Sequence, residues 1–279
     1  MGKTILITGC STGIGRATVK YFQEKGWNVI ATMRSPEKEK ELTKLNHVLV
    51  THLDVQKPST INTAIKEGIE KFGKIDVVVN NAGYGSFGPL EVTPREKIIR
   101  QFEVNIFGLL DVTKAIIPHF RKNHDGIIIN VSSVVGKLGM PLSTLYVGTK
   151  FAVEGLSESL HFEMEHIGCK VKIIEPGAIR TDFGGRSIDF NNDESLTEYQ
   201  DAVGKLHATF KSMLEKGAEP ILVAKTIYEA ATDGTNRLRY PVGADAENLI
   251  SKRKESNDEA FIAELKAMFG YEPSPMTSN

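Results

Sequence analysis

The stretch Thr8–Gly15, with the sequence TGCSTGIG, constrains the fold of this chain more than any other feature. It follows an apolar run of strand-forming residues, Thr4–Ile7, and it opens a segment whose apolar residues recur at helical spacing. Glycine lets a ligand approach the main chain, and the first N–H groups of a helix point at an anion. The stretch therefore predicts a strand, turn and helix that bind a dinucleotide phosphate. A plain turn is the alternative, because glycines at 9, 13 and 15 depart from the common G-x-G-x-x-G spacing.

Apolar runs and helix-compatible segments alternate along most of the chain. The runs are continuous, as strands covered on both faces require, and parallel strands need such long crossovers. The sequence therefore predicts an α/β fold, a single doubly wound Rossmann-type domain with about seven parallel strands and helices on both faces. After the first strand, we expect strands at residues 28–33, 47–53, 75–80, 126–131, 169–174 and 237–242.

The alternation of apolar runs and helix-compatible segments becomes less regular after Pro176. A polar, turn-rich segment at 184–199 suggests a mobile lid, and helices are expected at 196–215 and 221–231 and, as one charged helix, at 246–269. We expect a single dinucleotide-binding and catalytic domain over 1–272, with its substrate loop at 184–216. A flexible tail is expected at 273–279.

Composition excludes several classes of function. The 279 residues include 34 Lys and Arg against 35 Asp and Glu, so no excess charge favours nucleic acid. No apolar run approaches the ~20 residues of a membrane span, and the first strand begins too early for a signal peptide. Cys10 and Cys169 lack the spacing of a metal motif and are typical of free thiols in a cytoplasmic protein.

The residue that ends the second expected strand bears on cofactor choice. Ligands of such sheets bind beyond the carboxyl ends of the strands, and a site selective for NAD usually has a carboxylate there. The interval from Asn28 to Ser35 contains no Asp or Glu, but it does contain Arg34. An arginine suits the 2′-phosphate of NADP(H). A solvated loop arginine is the alternative interpretation.

Ser133, Tyr146 and Lys150 form the candidate catalytic group. Ser133 follows the fifth expected strand, and Tyr146 and Lys150 are four residues apart, on one face of a helix. A charge about 4 Å away at an effective dielectric of about 20 contributes about 4 kcal/mol. That energy would bring a phenol with a pKa of about 10 near the working pH if the phenol is partly desolvated. Ser133 could then hold a carbonyl oxygen while Tyr146 moves its proton.

The Tyr-x-x-x-Lys pattern also occurs at Tyr21 and Lys25. That copy lies midway along the first expected helix, where Tyr21 belongs to the apolar stripe. We interpret it as core packing, because only Tyr146 follows a strand end.

Taken together, these motifs resemble the short-chain dehydrogenase/reductase family. They are TGCSTGIG, NNAG at 80–83, Asn105, Ser133, Tyr146-x-x-x-Lys150 and Pro176-Gly177-x-x-x-Thr181. The pieces ATMR at 31–34 and RLRYPVGADA at 237–246 are similar to hydroxysteroid-, retinol- and ketone-reducing members. The resemblance implies that Ser133 polarises the substrate oxygen, Tyr146 is the acid/base, and Lys150 lowers its pKa and binds the nicotinamide ribose. It implies that Asn105 holds a water in the proton relay to Lys150.

The resemblance also assigns the cofactor site. Asp54 and Val55 would meet the adenine, 81–83 the ribose and nicotinamide, and Ile179 and Thr181 the carboxamide. Family members that prefer NADP often carry a basic residue where this chain has Thr12, so Arg34 would discriminate largely alone. The implied contacts are Gly9, Ser11, Thr12, Gly13, Ile14, Gly15, Arg34, Asp54, Val55, Asn81, Ala82, Gly83, Tyr146, Lys150, Pro176, Gly177, Ile179 and Thr181.

Apolar residues in loops beyond the strand ends are the candidate substrate pocket, although plain packing is an alternative role for each. They favour a hydrophobic ketone or secondary alcohol over a phosphorylated sugar. The candidates are Tyr84, Phe87, Leu138, Met140, Leu142, Leu145 and Phe183.

The sequence thus predicts an NADP(H)-dependent oxidoreductase, with NAD as a possible cofactor, that acts as a ketone (carbonyl) reductase. One alternative is an NAD-dependent secondary-alcohol dehydrogenase of the hydroxysteroid type. Another is a dinucleotide-binding regulator without turnover, which would have no need of the Tyr146 and Lys150 pair. The resemblance implies a dimer or tetramer built on the apolar faces of 98–117 and 153–164, although those faces could be buried within one chain.

Overall fold

Parallel strands form the central sheet of the computed structural model, which describes residues 2–181 and 187–271. Across this part of the chain the sheet has seven strands, in the order β3-β2-β1-β4-β6-β7-β9, and every neighbouring pair is parallel. The strand order reverses beside β1, as in a doubly wound fold. The strands are β1 (Thr4–Ile7), β2 (Asn28–Met33), β3 (Val48–His52), β4 (Val77–Asn80), β5 (Gly85–Phe87), β6 (Ile127–Val131), β7 (Lys170–Pro176), β8 (Ile188–Phe190) and β9 (Arg239–Val242).

Helices connect the strands and cover both faces of the sheet. A π-helical segment, Glu103–Phe107, joins α3 to α4 without a break. Single 3₁₀ turns lie at Pro36–Lys38, Leu42–Lys44, Leu90–Val92 and Val134–Gly136. The helices are α1 (Gly13–Glu24), α2 (Pro58–Phe72), α3 (Arg95–Phe102), α4 (Gly108–Asn123), α5 (Thr144–His166), α6 (Thr197–Lys216), α7 (Pro220–Thr232), α8 (Ala244–Glu255) and α9 (Asp258–Phe269).

The core lies in two layers, one on each face of the sheet. Successive strand side chains point to opposite faces, so Ile5 and Ile7 of β1 pack with Phe22 of α1 in one layer. Leu6 packs with Ile116 of α4 in the other layer. Every residue of β1 is buried, which explains why its sequence is continuously apolar. The predicted α/β fold with helices on both faces is confirmed. None of the helices described for this chain is both long and apolar enough to span a bilayer.

The C-terminal helix differs from its prediction. The expected continuous helix over 246–269 is divided into α8 and α9, because Ser256 adopts an extended backbone. Asn257 then caps the second helix, its side-chain Oδ1 accepting a hydrogen bond of 2.9 Å from Ala260 N. A side-chain acceptor at this position satisfies one of the free N–H groups of a helix start.

The described part of the expected lid contains a short strand, β8. Residues 182–186, including Gly184 and Gly185, and the expected tail, 273–279, lie outside the described residues. Strand β8 pairs in parallel with β5, with Gly85 opposite Ile188. Lys97 Nζ of α3 binds Asp189 Oδ1 at 2.8 Å and Asn191 Oδ1 at 2.7 Å. The pairing with β5 and the partly buried Lys97 thus anchor this strand, and the mobile lid stays a prediction.

Candidate active site

The glycine turn joins β1 to α1 and presents backbone N–H groups at the start of the helix. Gly9 and Gly13 have φ values of +73° and +58°, which side chains rarely adopt. A Cβ on Gly15 would lie 2.3 Å from Gly9 O, so only glycine lets the helix start this close to the turn. Thr12, the N-cap residue, makes no side-chain capping bond. The first N–H groups of α1 therefore remain available to an anion such as a phosphate.

The loop after β4 is fixed against this turn. Thr8 Oγ1 accepts hydrogen bonds of 3.0 Å from both Asn81 N and Ala82 N. The Asn81 amide returns bonds of 2.8 Å to Thr8 O and 3.1 Å to Gly9 O. Two adjacent strand ends thus form one rigid cradle. It explains why the NNAG and TGCSTGIG motifs occur together.

Two arginines near the cradle have different surroundings. Arg34 is exposed, lines the cavity, and forms no ion pair within the residues that the structure describes. Arg16 instead binds Glu39 at 2.6 Å and Glu41 at 2.5 Å, and its hydrogen bond lowers the pKa of Glu39 to about 2. Arg34 is therefore the arginine available to a ligand.

Ser133 and Tyr146 meet beyond the end of β6. Ser133 caps a 3₁₀ turn, because its Oγ accepts a bond of 3.3 Å from Val135 N. A hydrogen bond also links the Ser133 and Tyr146 side chains, and it acts to lower the pKa of Tyr146. The two hydroxyls thus lie side by side, where a carbonyl oxygen could contact both.

Lys150 lies one helical turn beyond Tyr146, on the same face of α5. Its Nζ is 5.6 Å from the centre of the Tyr146 ring and donates a bond of 2.9 Å to Val131 O. The expected geometry is therefore present. The expected lowering of the Tyr146 pKa is absent. Burial raises the pKa of Tyr146 to about 12 and lowers the pKa of Lys150 to about 8. Desolvation disfavours the charged form of each group, and it is the largest influence on both pKa values.

Asn105 occupies the middle of the π-helical segment. Its Oδ1 accepts a bond of 3.1 Å from Tyr84 N, and its Nδ2 donates to Tyr84 O at 2.8 Å and to Thr149 Oγ1 at 3.1 Å. Asn105 thus ties the loop after β4 to α5 beside Lys150. It is buried and does not line the cavity in the described structure. π-bulges are common at functional sites, because the inserted residue redirects a side chain.

A cavity of about 710 Å³ joins these groups. It extends from Arg34 along the carboxyl ends of the strands to the last helix, α9. All the expected cofactor contacts line it except Gly15, which packs against the turn. Of the expected pocket residues, Tyr84, Phe87, Leu138 and Met140 line it, and so does Ser133.

Two expected pocket residues, Leu142 and Leu145, do not line this cavity in the described structure. Leu145 precedes Tyr146 on α5, and adjacent helix positions face different directions. Leu142 packs in an apolar cluster with the C-terminal helices, and its carbonyl accepts a bond of 2.8 Å from Gly88 N. Phe183 lies outside the described residues.

Sequence reasoning missed one whole wall of the cavity. This wall comes from helices α6, α8 and α9, whose apolar positions predict a buried face but not the cavity that the face encloses. The residues are Phe210, Met213, Leu214, Leu249, Leu265, Met268 and Phe269. The polar rim residues Lys97 and Arg100 of α3 were missed as well.

Two further features of the described residues bear on the chemistry. Across 2–181 and 187–271, His, Cys, Asp and Glu form no group of three that could hold a metal ion. The second Tyr-x-x-x-Lys copy packs as interpreted: the Tyr21 ring contacts the Tyr228 ring, with centroids 5.6 Å apart.

Comparisons with known proteins identify the family of this chain. The family model described as short chain dehydrogenase matches residues 3–191. Two uncharacterized oxidoreductases of Schizosaccharomyces pombe are each 43% identical over 85% of this chain and 100% of their own length. The 3-ketodihydrosphingosine reductase of Bacteroides thetaiotaomicron is 32% identical over 90% of this chain and 91% of its own.

Solved structures agree over most of the fold. A short-chain dehydrogenase from Streptomyces avermitilis superposes with a TM-score of 0.83 at 30% identity, covering 97% of this chain and 98% of its own. ElxO with NADP bound gives a TM-score of 0.71 at 31% identity, covering 86% of this chain and 98% of its own.

Proposed function

This chain belongs to the short-chain dehydrogenase family, and from that membership we propose that it is an NADP(H)-dependent carbonyl reductase acting on hydrophobic ketones. The same site would oxidise the corresponding secondary alcohols. That the chain is an oxidoreductase enzyme follows from its relatives. The cofactor, the substrate class and the roles of individual residues belong to the proposal.

One observation carries the proposal. Ser133, Tyr146 and Lys150 line the same cavity as the glycine turn. A bound dinucleotide with its phosphates at the start of α1 could extend along this cavity to the phenol. A protein that only binds the dinucleotide has no need of a buried lysine beside a buried phenol, since burying an ammonium group is costly.

The residues divide the chemistry between them. When bound, the reduced nicotinamide supplies the hydride that the carbonyl carbon accepts. Ser133 donates a hydrogen bond to the carbonyl oxygen, and Tyr146 gives its proton to that oxygen, so the ketone becomes an alcohol. The raised pKa of Tyr146 keeps the phenol protonated, which is the form that reduction requires. Lys150, held by Val131 O, offsets the negative charge left on the phenolate.

Cofactor preference rests on Arg34. It lines the cavity after β2, with no ion pair in the described structure to compete for it. An unpaired guanidinium suits a phosphate through paired hydrogen bonds. ElxO, a structural neighbour of this chain, binds NADP. NAD remains the alternative cofactor, because Thr12 supplies no second cation.

The substrate class rests on the cavity wall. The Phe87 ring contacts the Tyr146 ring on one side and the Phe210 ring on the other, with centroids 5.3 Å and 5.1 Å apart. Leu265 and Phe269 of α9 continue the apolar wall. A pocket of this character favours a bulky apolar ketone. The Bacteroides relative is named 3-ketodihydrosphingosine reductase, which supports a ketone as the substrate.

The deciding experiment follows the absorbance of NADPH and of NADH with a panel of hydrophobic ketones. We expect NADPH consumption that depends on the ketone and exceeds NADH consumption. Binding of NADPH without turnover of any carbonyl would favour a regulator. Faster NAD-dependent oxidation of secondary alcohols would favour the dehydrogenase alternative.

We further propose that the chain forms a homo-oligomer through α4 and α5. Phe107 lies 51% exposed at the start of α4, and Phe151 and Phe162 of α5 are 46% and 69% exposed. Large apolar side chains clustered on one surface mark interaction sites. A second copy of the chain would cover them.

The remaining proposals concern organisation and location. We propose that residues 1–272 form one domain, with the substrate loop at 184–216. Cys10 and Cys169 are free, buried thiols, which fits a cytoplasmic protein.

A further inference from the structure

Two carboxyl groups are buried directly behind the candidate active site. Glu154 lies one turn beyond Lys150 on α5, and Glu175 lies on β7, just before Pro176. Their side chains are 5% and 2% exposed. A Cβ on Gly136 would lie 2.9 Å from Glu154 Cγ and 3.1 Å from Lys150 O. Glu154 is therefore packed beneath the turn that follows Ser133.

A single arginine serves both carboxyl groups. Arg239 Nε of β9 lies 2.9 Å from Glu154 Oε2 and 3.7 Å from Glu175 Oε1. Arg239 Nη2 also binds Glu158, which is 57% exposed. One guanidinium thus faces three carboxyl groups, two of them removed from water. Its single positive charge is too small to balance all three in ionised form.

One oxygen of each buried carboxyl lacks a hydrogen bond, which also indicates that a proton is held here. Glu154 Oε1 and Glu175 Oε1 are buried and accept no hydrogen bond from any residue that the structure describes. A buried carboxylate oxygen without a hydrogen bond is costly, and the cost falls when the group is protonated and loses its charge. Two carboxyls that share a site cannot both ionise easily, so one of them holds a proton.

The other charged groups around the pair are few. Lys150 and Glu158 come from α5, and Arg239 comes from β9. Lys137, after the 3₁₀ turn, and Lys254 of α8 act on Glu175 as more distant cations. Burial and the neighbouring Glu154 raise the pKa of Glu175 from its ordinary 4.5 to about 7, against the effect of these cations.

We propose that Glu154 and Glu175 together hold one proton behind the active site, and that release of this proton as the pH rises past neutrality helps to keep Lys150 in its ammonium form. The effect on Lys150 rests on the proposed function; the shared proton does not. The two glutamates act as positioning residues, since neither touches the reacting atoms. The buried pair extends the pH range in which the enzyme is active. A second negative charge forms behind Lys150 at the higher pH at which Lys150 would otherwise lose its proton.

The shared proton can be tested without activity, by thermal unfolding. A carboxyl whose pKa is raised on folding stabilises the fold fully below pH 4.5, and this stability is lost as the pH rises through about 7. Glu175→Gln has the shape of the protonated glutamate and cannot ionise. We expect the melting temperature of the wild type to fall across this interval, and that of Glu175→Gln to fall less. Glu158→Gln is the matched control, and it should follow the wild type.

The effect on Lys150 is tested by the pH dependence of kcat/KM for ketone reduction. We expect Glu175→Gln to move the alkaline limb to lower pH by about one unit, since a nearby charge is removed. Glu158→Gln should leave the limb in place. A merely structural role would reduce the rate at every pH and would not move the limb.

Each outcome decides one part. Equal pH slopes of melting in the wild type and Glu175→Gln would refute the shared proton. Coincident pH profiles of an active wild type and Glu175→Gln would refute its effect on Lys150. Absence of any turnover in the wild type would refute the proposed function and, with it, the effect on Lys150. The thermal unfolding experiment would still decide whether the pair holds a proton. Failure of Glu175→Gln to fold would contradict the proposal, because glutamine replaces the neutral carboxyl that we infer.

Discussion

Lys150 Nζ lies 5.6 Å from the centre of the Tyr146 ring, one helical turn away on α5. Burial keeps the phenol of this pair neutral and makes its ammonium easier to deprotonate. The resting protein therefore holds a proton on Tyr146, ready for donation to a carbonyl oxygen. Oxidation of an alcohol would first require that proton to leave. The protonation state of the resting pair thus suits the reduction that we propose.

Removal of the Tyr146 hydroxyl is the first prediction. Tyr146→Phe should lower kcat for ketone reduction by about 100- to 10,000-fold, the range of general acid catalysis, while NADPH still binds. Steady-state rates and fluorescence titration of NADPH measure the two effects. Tyr21→Phe is the matched control, because Lys25 lies 5.3 Å from the ring of Tyr21 and yet neither residue lines the cavity in the described structure. Unchanged turnover in Tyr146→Phe would refute the assignment.

The pKa shifts of the pair predict a pH profile. Lys150, with a pKa lowered to about 8, should lose its proton first, so kcat/KM for reduction should fall as the pH rises through about 8. Tyr146 should stay protonated until about pH 12 in the cofactor-free protein. Ultraviolet difference spectra of the wild type and Tyr146→Phe report the phenolate. A phenolate signal from Tyr146 near neutral pH would contradict this order of ionisation.

Arg34 is expected to set the cofactor preference. Arg34→Ala should raise the KM for NADPH by about 10- to 100-fold, since a charged hydrogen bond contributes about 1.5–3 kcal/mol. The KM for NADH should change little. Lys38→Ala, which removes an exposed cation of the following turn, is the control. Equal effects of Arg34→Ala on both cofactors would remove the argument for NADP.

Phe210 is expected to contribute to substrate specificity. Phe210→Ala should raise the KM for bulky apolar ketones by about tenfold or more, because burial of a phenylalanine contributes about 1.5–3 kcal/mol. A small ketone that does not reach α6 serves as the control substrate for the same variant. If both ketones lose affinity equally, Phe210 supports the fold of the site and not its specificity.

The exposed face of α5 should control assembly. Phe162→Glu should convert the oligomer to a monomer, because it introduces a charge into an apolar interface. Light scattering coupled to size exclusion gives the mass. Leu90→Glu alters a residue that is 49% exposed on a separate turn, and it should leave the mass unchanged. A wild type that is already monomeric would overturn the oligomer proposal.

Local pattern was sufficient to predict the sheet. Continuous apolar residues placed β2 at Asn28–Met33, as observed, because burial on both faces leaves a signal within the strand itself. The candidate catalytic residues were found in the same way, since Tyr146 and Lys150 are close in sequence and share a helix face.

Contacts between distant segments could not be predicted. Strand β5 pairs with β8 across about a hundred residues, and neither has a length or alternation that predicts its partner. The aromatic wall at Phe210 and the contact of Arg239 with Glu154 likewise depend on where separate helices and strands pack. The pKa of Tyr146 was misjudged for the same reason, because the extent of its burial is a tertiary property.

The π-helical turn at Glu103–Phe107 makes this helix sensitive to its residue count. Each residue turns a helix by about 100°, so loss of one residue here would rotate everything that follows relative to α3. Asn105 could then no longer reach both Tyr84 and Thr149, and the apolar stripe of α4 would turn from the sheet. Relatives that share this turn should therefore keep its length as well as the asparagine at its centre.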